Sequence, residues 1–242
     1  IRINNKPIIE HQIELIKSAG FKNIVLVNGY KSEDFSILSK NANLKMQIHT
    51  DYKNTHILHS LMAAKPQMDN GFILLFSDIL FDSKILKKLI NIKSDIVLGI
   101  DNSFTYNNQK IDKKLDLVVR KKSFQEGFRS LNNETLPEIT KIGKNIDPKI
   151  SDYEFIGIAY FSNKGAEILK NIFLELNNNL NSKNNFQEAK SFEMASITDM
   201  IQEIIDRGYL VNGIEIRQGW REIHSPNDIQ TVEKEIKSLD QA

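Results

Sequence analysis

Asp78 is the side chain whose neighbours best equip it for chemistry. It lies in Gly71-Phe72-Ile73-Leu74-Leu75-Phe76-Ser77-Asp78-Ile79-Leu80-Phe81-Asp82, just after the apolar run Phe72 to Phe76. An unbroken apolar run of this kind predicts a strand buried on both faces, the usual state of a parallel strand in an α/β sheet. A carboxylate where such a strand ends can cap a helix or a turn. It can equally hold Mg²⁺, a hard cation that takes few protein oxygens and completes its shell with water and phosphates. Ligands of open α/β sheets bind beyond the carboxyl ends of the strands, where Gly29-Tyr30, Asp78 and the turn after Ile100 should gather. A phosphate-bearing substrate is what that arrangement suits.

Composition removes several other chemistries. The chain has no cysteine, which excludes disulfides, thiol nucleophiles and cysteine-built metal centres and fits a cytoplasmic setting. His11, His49, His56 and His59 stand at no convincing metal-ligand spacing. Thirty-two Lys and Arg against 31 Asp and Glu leave no basic surface to attract nucleic acid. With 40% hydrophobic and 26% charged residues the chain reads as soluble and globular, and no apolar run approaches the roughly 18 residues of a membrane span. Asn, Lys and Ile are enriched throughout, so the tract Asn177 to Asn185 reads as a solvated loop without chemistry.

The elements that must position Asp78 alternate. Apolar residues at helical spacing predict a helix over Ile8 to Ala19, stopped by Gly20, and a buried strand over Asn23 to Tyr30. A short strand at Lys45 to His49 precedes the loop Thr50 to Thr55 and a helix over Ile57 to Ala64, ended by Lys65-Pro66. Ser83 is expected to cap the helix after Asp82, and Asp95 to Asp101 reads as another buried strand. This rhythm predicts a mixed, mostly parallel sheet flanked by helices. Short strands at Leu115 to Val119, Glu138 to Ile142 and Phe155 to Phe161 make 102–161 an expected acceptor-side lobe inserted in one domain spanning 1–242. A helix over Gly165 to Leu176 and one capped at Ser196 follow, then a strand over Val211 to Ile216. Gly219 to His224 is expected to extend or pair with that strand, and Ser225-Pro226 starts a final helix.

Several stretches resemble, in order, those of sugar-phosphate nucleotidyltransferases of the phosphocholine cytidylyltransferase-like branch. Lys6 to Tyr30 is similar to the segment after the phosphate loop. Asn54 to Ala64 and Ser77 to Asp82 look like the nucleotide-side and metal-binding segments, and Ile197-Thr198-Asp199 and Gly219 to Asp228 like the two C-terminal motifs. The resemblance implies a Rossmann-like nucleotidyltransferase fold and Mg²⁺-dependent attack of an acceptor phosphate on a nucleoside triphosphate, with loss of pyrophosphate. It implies that Asp78 holds the metal and that Lys144, in Lys141-Ile142-Gly143-Lys144, meets the acceptor phosphate; a plain surface lysine is the alternative. Gly29, Tyr30, Asn54 and Ser60 would lie on the nucleotide side, Ser60 being otherwise an ordinary helical residue.

Two departures from the family pattern matter. The family opens with a strand and a Gly-rich basic loop that cradles the triphosphate, and this sequence starts just after them, so an N-terminal truncation or a longer parent polypeptide is expected. Further on, His224 stands where the family usually has a second metal-binding Asp. Imidazole suits Mg²⁺ poorly. In an extended segment Glu222 and His224 face the same way, so Glu222 can supply the oxygen instead. The leading expectation is CMP transfer from CTP to a small phosphorylated or phosphonate acceptor such as phosphocholine or 2-aminoethylphosphonate. A sugar-1-phosphate uridylyl- or thymidylyltransferase and an inactive nucleotide-binding module remain as alternatives, and a homo-oligomer stays open.

Overall fold

The computed structural model describes residues 1–40, 44–103, 114–122, 136–179, 184–217, 219–223 and 225–239. The chain opens with a small hairpin, β1 (Arg2–Ile3) and β2 (Lys6–Pro7), turned by Asn4 and Asn5 at φ 47° and 63°. Asparagine is among the few residues that tolerate this left-handed backbone. Helix α1 (Ile8–Ser18) and the parallel pair β3 (Ile24–Asn28) and β4 (Leu44–Ile48) come next. Helix α2 (Ile57–Ala63) gives way at Lys65-Pro66 to a single 3-10 turn, as a proline without a backbone N–H requires.

The stretch that begins at Gly71 is two strands, β5 (Phe72–Leu75) and β6 (Ile79–Phe81), separated by Phe76, Ser77 and Asp78. β5 is the strand expected from the apolar run, with Asp78 in the turn after it, while the expectation of a parallel strand buried on both faces is corrected. β5 is half-buried along its length and antiparallel to its partner. The helix that follows, α3 (Ser83–Ile90), is capped by Asp82, whose carboxylate accepts from the Lys84 N–H at 2.8 Å, so Ser83 is its first residue and not its cap.

Strands β7 (Ile96–Asp101), β8 (Leu117–Arg120), β9 (Ile139–Gly143) and β10 (Tyr153–Phe161) belong with β5 to the main sheet. Thus, of the expected acceptor-side lobe, β8 and β9 extend the sheet at one side and β10 runs through its middle. Helices α4 (Asn163–Asn179) and α5 (Ile197–Asp206) lead to β11 (Asn212–Ile216), which lies parallel to β7. α4 therefore takes in the first part of the Asn-rich tract expected as loop. β12 (Trp220–Glu222) pairs antiparallel with β6 and not with β11, and α6 (Pro226–Leu239) closes the chain. The result is a mixed α/β fold, with β3–β4 and β7–β11 parallel and β10 antiparallel to β5, β7 and β8.

Helices cover both faces of the sheet. α2, α4 and α5 pack on one side with Leu58, Leu169, Ile172, Ile201 and Ile204 against Leu98, Ile100 and Phe161. α1 and α3 pack on the other, with Leu86 and Leu89 against Val97, Ile156 and Ile158. Each such aliphatic side chain contributes about 1.5–3 kcal/mol when fully buried. β7, sandwiched between the layers, is buried at every position, as its sequence predicts. Among the described residues no helix is long and apolar enough to cross a membrane.

The feature that makes room for a site is a change of partner on one edge of β10. Ile158 to Phe161 pair with β5, whereas Tyr153 and Glu154 pair with β8. Between the two, β10 uses four steps from Phe155 to Ala159 where β7 uses two, from Ile100 to Leu98. Gly157 sits in that bulge at φ 76°, a conformation that favours glycine. Its carbonyl accepts from the Phe76 N–H at 2.9 Å, which carries the chain out of β5 into the Asp78 turn.

Candidate active site

Asp78 lies half-buried in the turn between β5 and β6. That turn is braced from beneath by Gln12 of α1, a buried amide whose Nε2 donates to the Phe76 carbonyl at 2.8 Å and to the Ile79 carbonyl at 2.7 Å. From the other side, the Ile223 N–H donates to the Asp78 carbonyl at 2.8 Å, and Glu222 pairs with Ile79. Two candidate carboxylates distant in sequence, Asp78 and Glu222, are thereby carried on adjoining backbone. His224 lies outside the described residues. No group of three or more His, Asp or Glu side chains suited to a metal occurs among the described residues.

A small cavity opens where β5 and β8 diverge. Its lining includes the carboxylates of Asp116, Glu154 and Glu222 and the rings of Phe76, Phe155 and Trp220. Phe76 meets Phe155 edge-on, with centroids 5.8 Å apart. The indole Nε1–H of Trp220 donates to Asp101 Oδ2 at 2.7 Å. Asp101 is 1% exposed and its Oδ1 accepts from the Ser103 N–H, so the ring is locked to the end of β7.

The other predicted residues form two further groups. Gly29 and Tyr30 follow β3 and meet the Thr50 to Thr55 loop. A side chain at Gly29 would collide with the Tyr52 ring, and Tyr30 and Tyr52 contact edge-on at 6.4 Å. In that loop Asn54 Nδ2 donates to Asp51 Oδ1 at 2.7 Å, and His49 Nε2 lies 2.7 Å from Thr55 Oγ1. Ser60 is half-buried in the middle of α2. Lys144 follows β9 with its side chain exposed, while its N–H and that of Asn145 donate to Glu188. Register ties this turn to the cavity: Gly143 pairs with Leu117, Leu117 with Glu154 and Glu154 with Asp101. At about 4.8 Å per strand, the Lys144 turn is about 10 Å across the sheet from the Glu154 row.

Sequence reasoning passed over Gln12, Asp101, Asp116, Glu154 and Glu188. Gln12 had a visible signal, being a polar residue on the apolar stripe Ile8, Ile13, Ile16 of α1. The others had none, because their neighbours in space come from other elements. Asp199, in the segment similar to a C-terminal motif, closes a capping box with Ser196 and accepts from the Glu188 N–H at 3.0 Å. His59, on α2, is stacked edge-on against Phe173 and Phe192. Its Nε2–H donates to the Phe192 carbonyl at 3.1 Å, and burial pushes its pKa below the ordinary value.

Carboxylates thus gather at a strand switch in a two-faced α/β fold, and known proteins share that fold. No family model matches the chain. The CTP:phosphoglutamine cytidylyltransferase of Campylobacter jejuni is 24% identical over 244 aligned residues, covering 97% of this chain and 90% of that protein. The choline-phosphate cytidylyltransferase of Streptococcus pneumoniae is 21% identical over 182 residues, covering 71% of this chain and 75% of that one. Among solved structures, the inositol-1-phosphate CTP transferase from T. maritima superposes with a TM-score of 0.71 at 19% identity, over 100% of this chain and 86% of that one. The chain is thus similar along most of its length to enzymes named as cytidylyltransferases, and it shares the fold of solved nucleotidyltransferases.

Proposed function

We propose that the protein transfers CMP from CTP to a small phosphorylated or phosphonate acceptor that carries a cationic group, releasing pyrophosphate. Two relatives are named as cytidylyltransferases of phosphoglutamine and of choline phosphate, which supports both the nucleotide and a phosphate-bearing acceptor. An acceptor oxygen attacks the α-phosphorus of CTP, a new phosphorus–oxygen bond forms, and the bond to the β-phosphate's bridging oxygen breaks. No covalent enzyme intermediate is needed, so the protein's work is to align two anions and offset their charge.

The observation that carries this reading is the joining of the Asp78 turn to β12 beside a cavity lined by acids and aromatic rings. Asp78 and Glu222 offer hard carboxylate oxygens, a donor set that fits Mg²⁺ with phosphates and water completing the shell. Bound there, Mg²⁺ would neutralise phosphate charge and polarise the α-phosphate. Lys144 receives the acceptor's phosphate. Gly29, Tyr30, Asn54 and Ser60 serve the base and ribose. Asp116 and Glu154, at the same cavity as Glu222, supply negative charge that suits an organic ammonium on the acceptor.

The test is a matrix of nucleotides and acceptors, scored by pyrophosphate release with Mg²⁺ present. CTP is expected to exceed UTP and dTTP, and phosphocholine or 2-aminoethylphosphonate to exceed glucose-1-phosphate. Preference for UTP or dTTP with a sugar phosphate would replace the reading by a sugar-nucleotide synthase, and nucleotide binding without turnover by an inactive module.

A further inference from the structure

The turn that carries Lys144 is held in a way that an exposed loop does not need for burial. Lys144 and Asn145 are both exposed, yet Glu188 reaches them from 44 residues away in sequence. Glu188 Oε2 accepts from the Lys144 N–H at 2.8 Å, and Oε1 accepts from the Asn145 N–H at 3.0 Å. The approach is so close that any side chain at Gly143 would collide with the carboxylate.

Glu188 is itself anchored. Its N–H donates to Asp199 Oδ1, and Asp199 Oδ2 accepts from the Ser196 N–H at 2.7 Å. Gln187, next to it, is held at φ 50°, uncommon for a residue with a side chain. Its amide donates to Glu203 at 2.9 Å and to Asp206 at 3.0 Å, both on α5. Phe186 and Ala189 close the turn with reciprocal backbone bonds of 3.0 and 2.9 Å. A strained residue fixed by so many partners is a means of delivering one side chain to one place.

We propose that Glu188 is a positioning residue: by gripping two successive N–H groups it fixes the turn from which Lys144 presents its ammonium to the acceptor's phosphate. This presupposes the transfer reaction proposed above. The carboxylate fills the two N–H groups that an anion could otherwise take, so the phosphate is directed to the lysine side chain instead.

The experiment has two arms on the whole protein. In the first, inorganic phosphate is titrated against the wild type, Glu188→Gln, Lys144→Ala and the double variant, following the Lys144 and Asn145 amides by NMR. Glu188→Gln keeps the side chain's size but replaces one acceptor oxygen by a donor. It is expected to weaken phosphate binding by about 10-fold, and the double variant to bind no more weakly than Lys144→Ala alone. In the second arm, Glu188→Gln raises the KM for the acceptor and leaves the KM for CTP unchanged. Gly143→Ala, which displaces the carboxylate without removing it, gives the same pattern if Glu188→Gln does not fold. Wild-type phosphate affinity in Glu188→Gln or Gly143→Ala, effects of Glu188→Gln and Lys144→Ala that add in full, or wild-type Lys144 and Asn145 amide signals that do not respond to phosphate would overturn the proposal. Coupling in the first arm with no transfer in the second would leave the positioning role standing and remove the reaction.

Discussion

The backbone N–H of Ile223 donates to the carbonyl of Asp78 at 2.8 Å. That bond, continued by the pairing of Glu222 with Ile79, ties the last strand of the chain to the turn after β5. Neither segment is long enough to be stable alone, β6 and β12 having three residues each. Their mutual pairing, and the amide of Gln12 below, are what give the carboxylate turn a fixed shape.

Replacing Gln12 by Leu removes the donor to the Phe76 and Ile79 carbonyls. Stability is expected to fall by about 2 kcal/mol, which calorimetry would read as a loss of about 4–8 °C in Tm. The half-saturating Mg²⁺ concentration is expected to rise, because the turn loses its brace. A variant with unchanged Tm and metal dependence would show that Gln12 does not hold the turn.

Gly157→Ala places a Cβ within 2.8 Å of the Phe76 ring on a backbone at φ 76°. The expected cost is about 2 kcal/mol, with turnover falling further than stability since the bulge shapes the cavity. Chemical denaturation and kinetics on the same preparation separate the two effects.

Trp220→Phe keeps the ring's packing and takes away its N–H, leaving Asp101 Oδ2 buried without that donor. A loss of about 1–3 kcal/mol is expected. Making Asp101→Asn in addition is expected to return part of it, since a neutral amide is less costly to leave there. Equal stability of Trp220→Phe and the wild type would remove the indole bond from the account.

His59 gives a dependence on pH. Its folded pKa is lowered, with desolvation by burial the largest cause. The unfolded chain therefore binds the proton more readily, and stability rises with pH across the window between the two pKa values. The stabilisation is complete above the ordinary value of 6.5 and declines as pH falls below it. Melting curves from pH 7.5 to pH 5 are expected to show this slope in the wild type and a shallower one in His59→Gln.

The fold was legible where burial imposes a period. α1, α2, β7 and α5 lie where spacing and caps predict, because one face of each meets a core. The second strand, β6, was hidden, since apolar residues between acids look alike whether or not a new strand begins there. Gly157 was hidden inside the apolar run Phe155 to Phe161. The pairing of β6 with β12 rests on backbone groups, which leave no trace in residue type. Asp78 could be singled out by its place after a strand, whereas Glu154 and Asp116 became visible only when the fold set them in one cavity with Glu222. Glu188 carries no local signal, because its role lies in the N–H groups of a turn on another element.

The most direct measurement is the Mg²⁺ dependence of pyrophosphate release from CTP and phosphocholine in the wild type, Asp78→Asn and Glu222→Gln. Acceptor-dependent release is expected in the wild type, with a fall of about 100-fold or more in Asp78→Asn. For Glu222→Gln the half-saturating Mg²⁺ concentration is expected to rise by about 10-fold. Release that needs no acceptor, or both variants matching the wild type at every Mg²⁺ concentration, would contradict the proposed reaction and site.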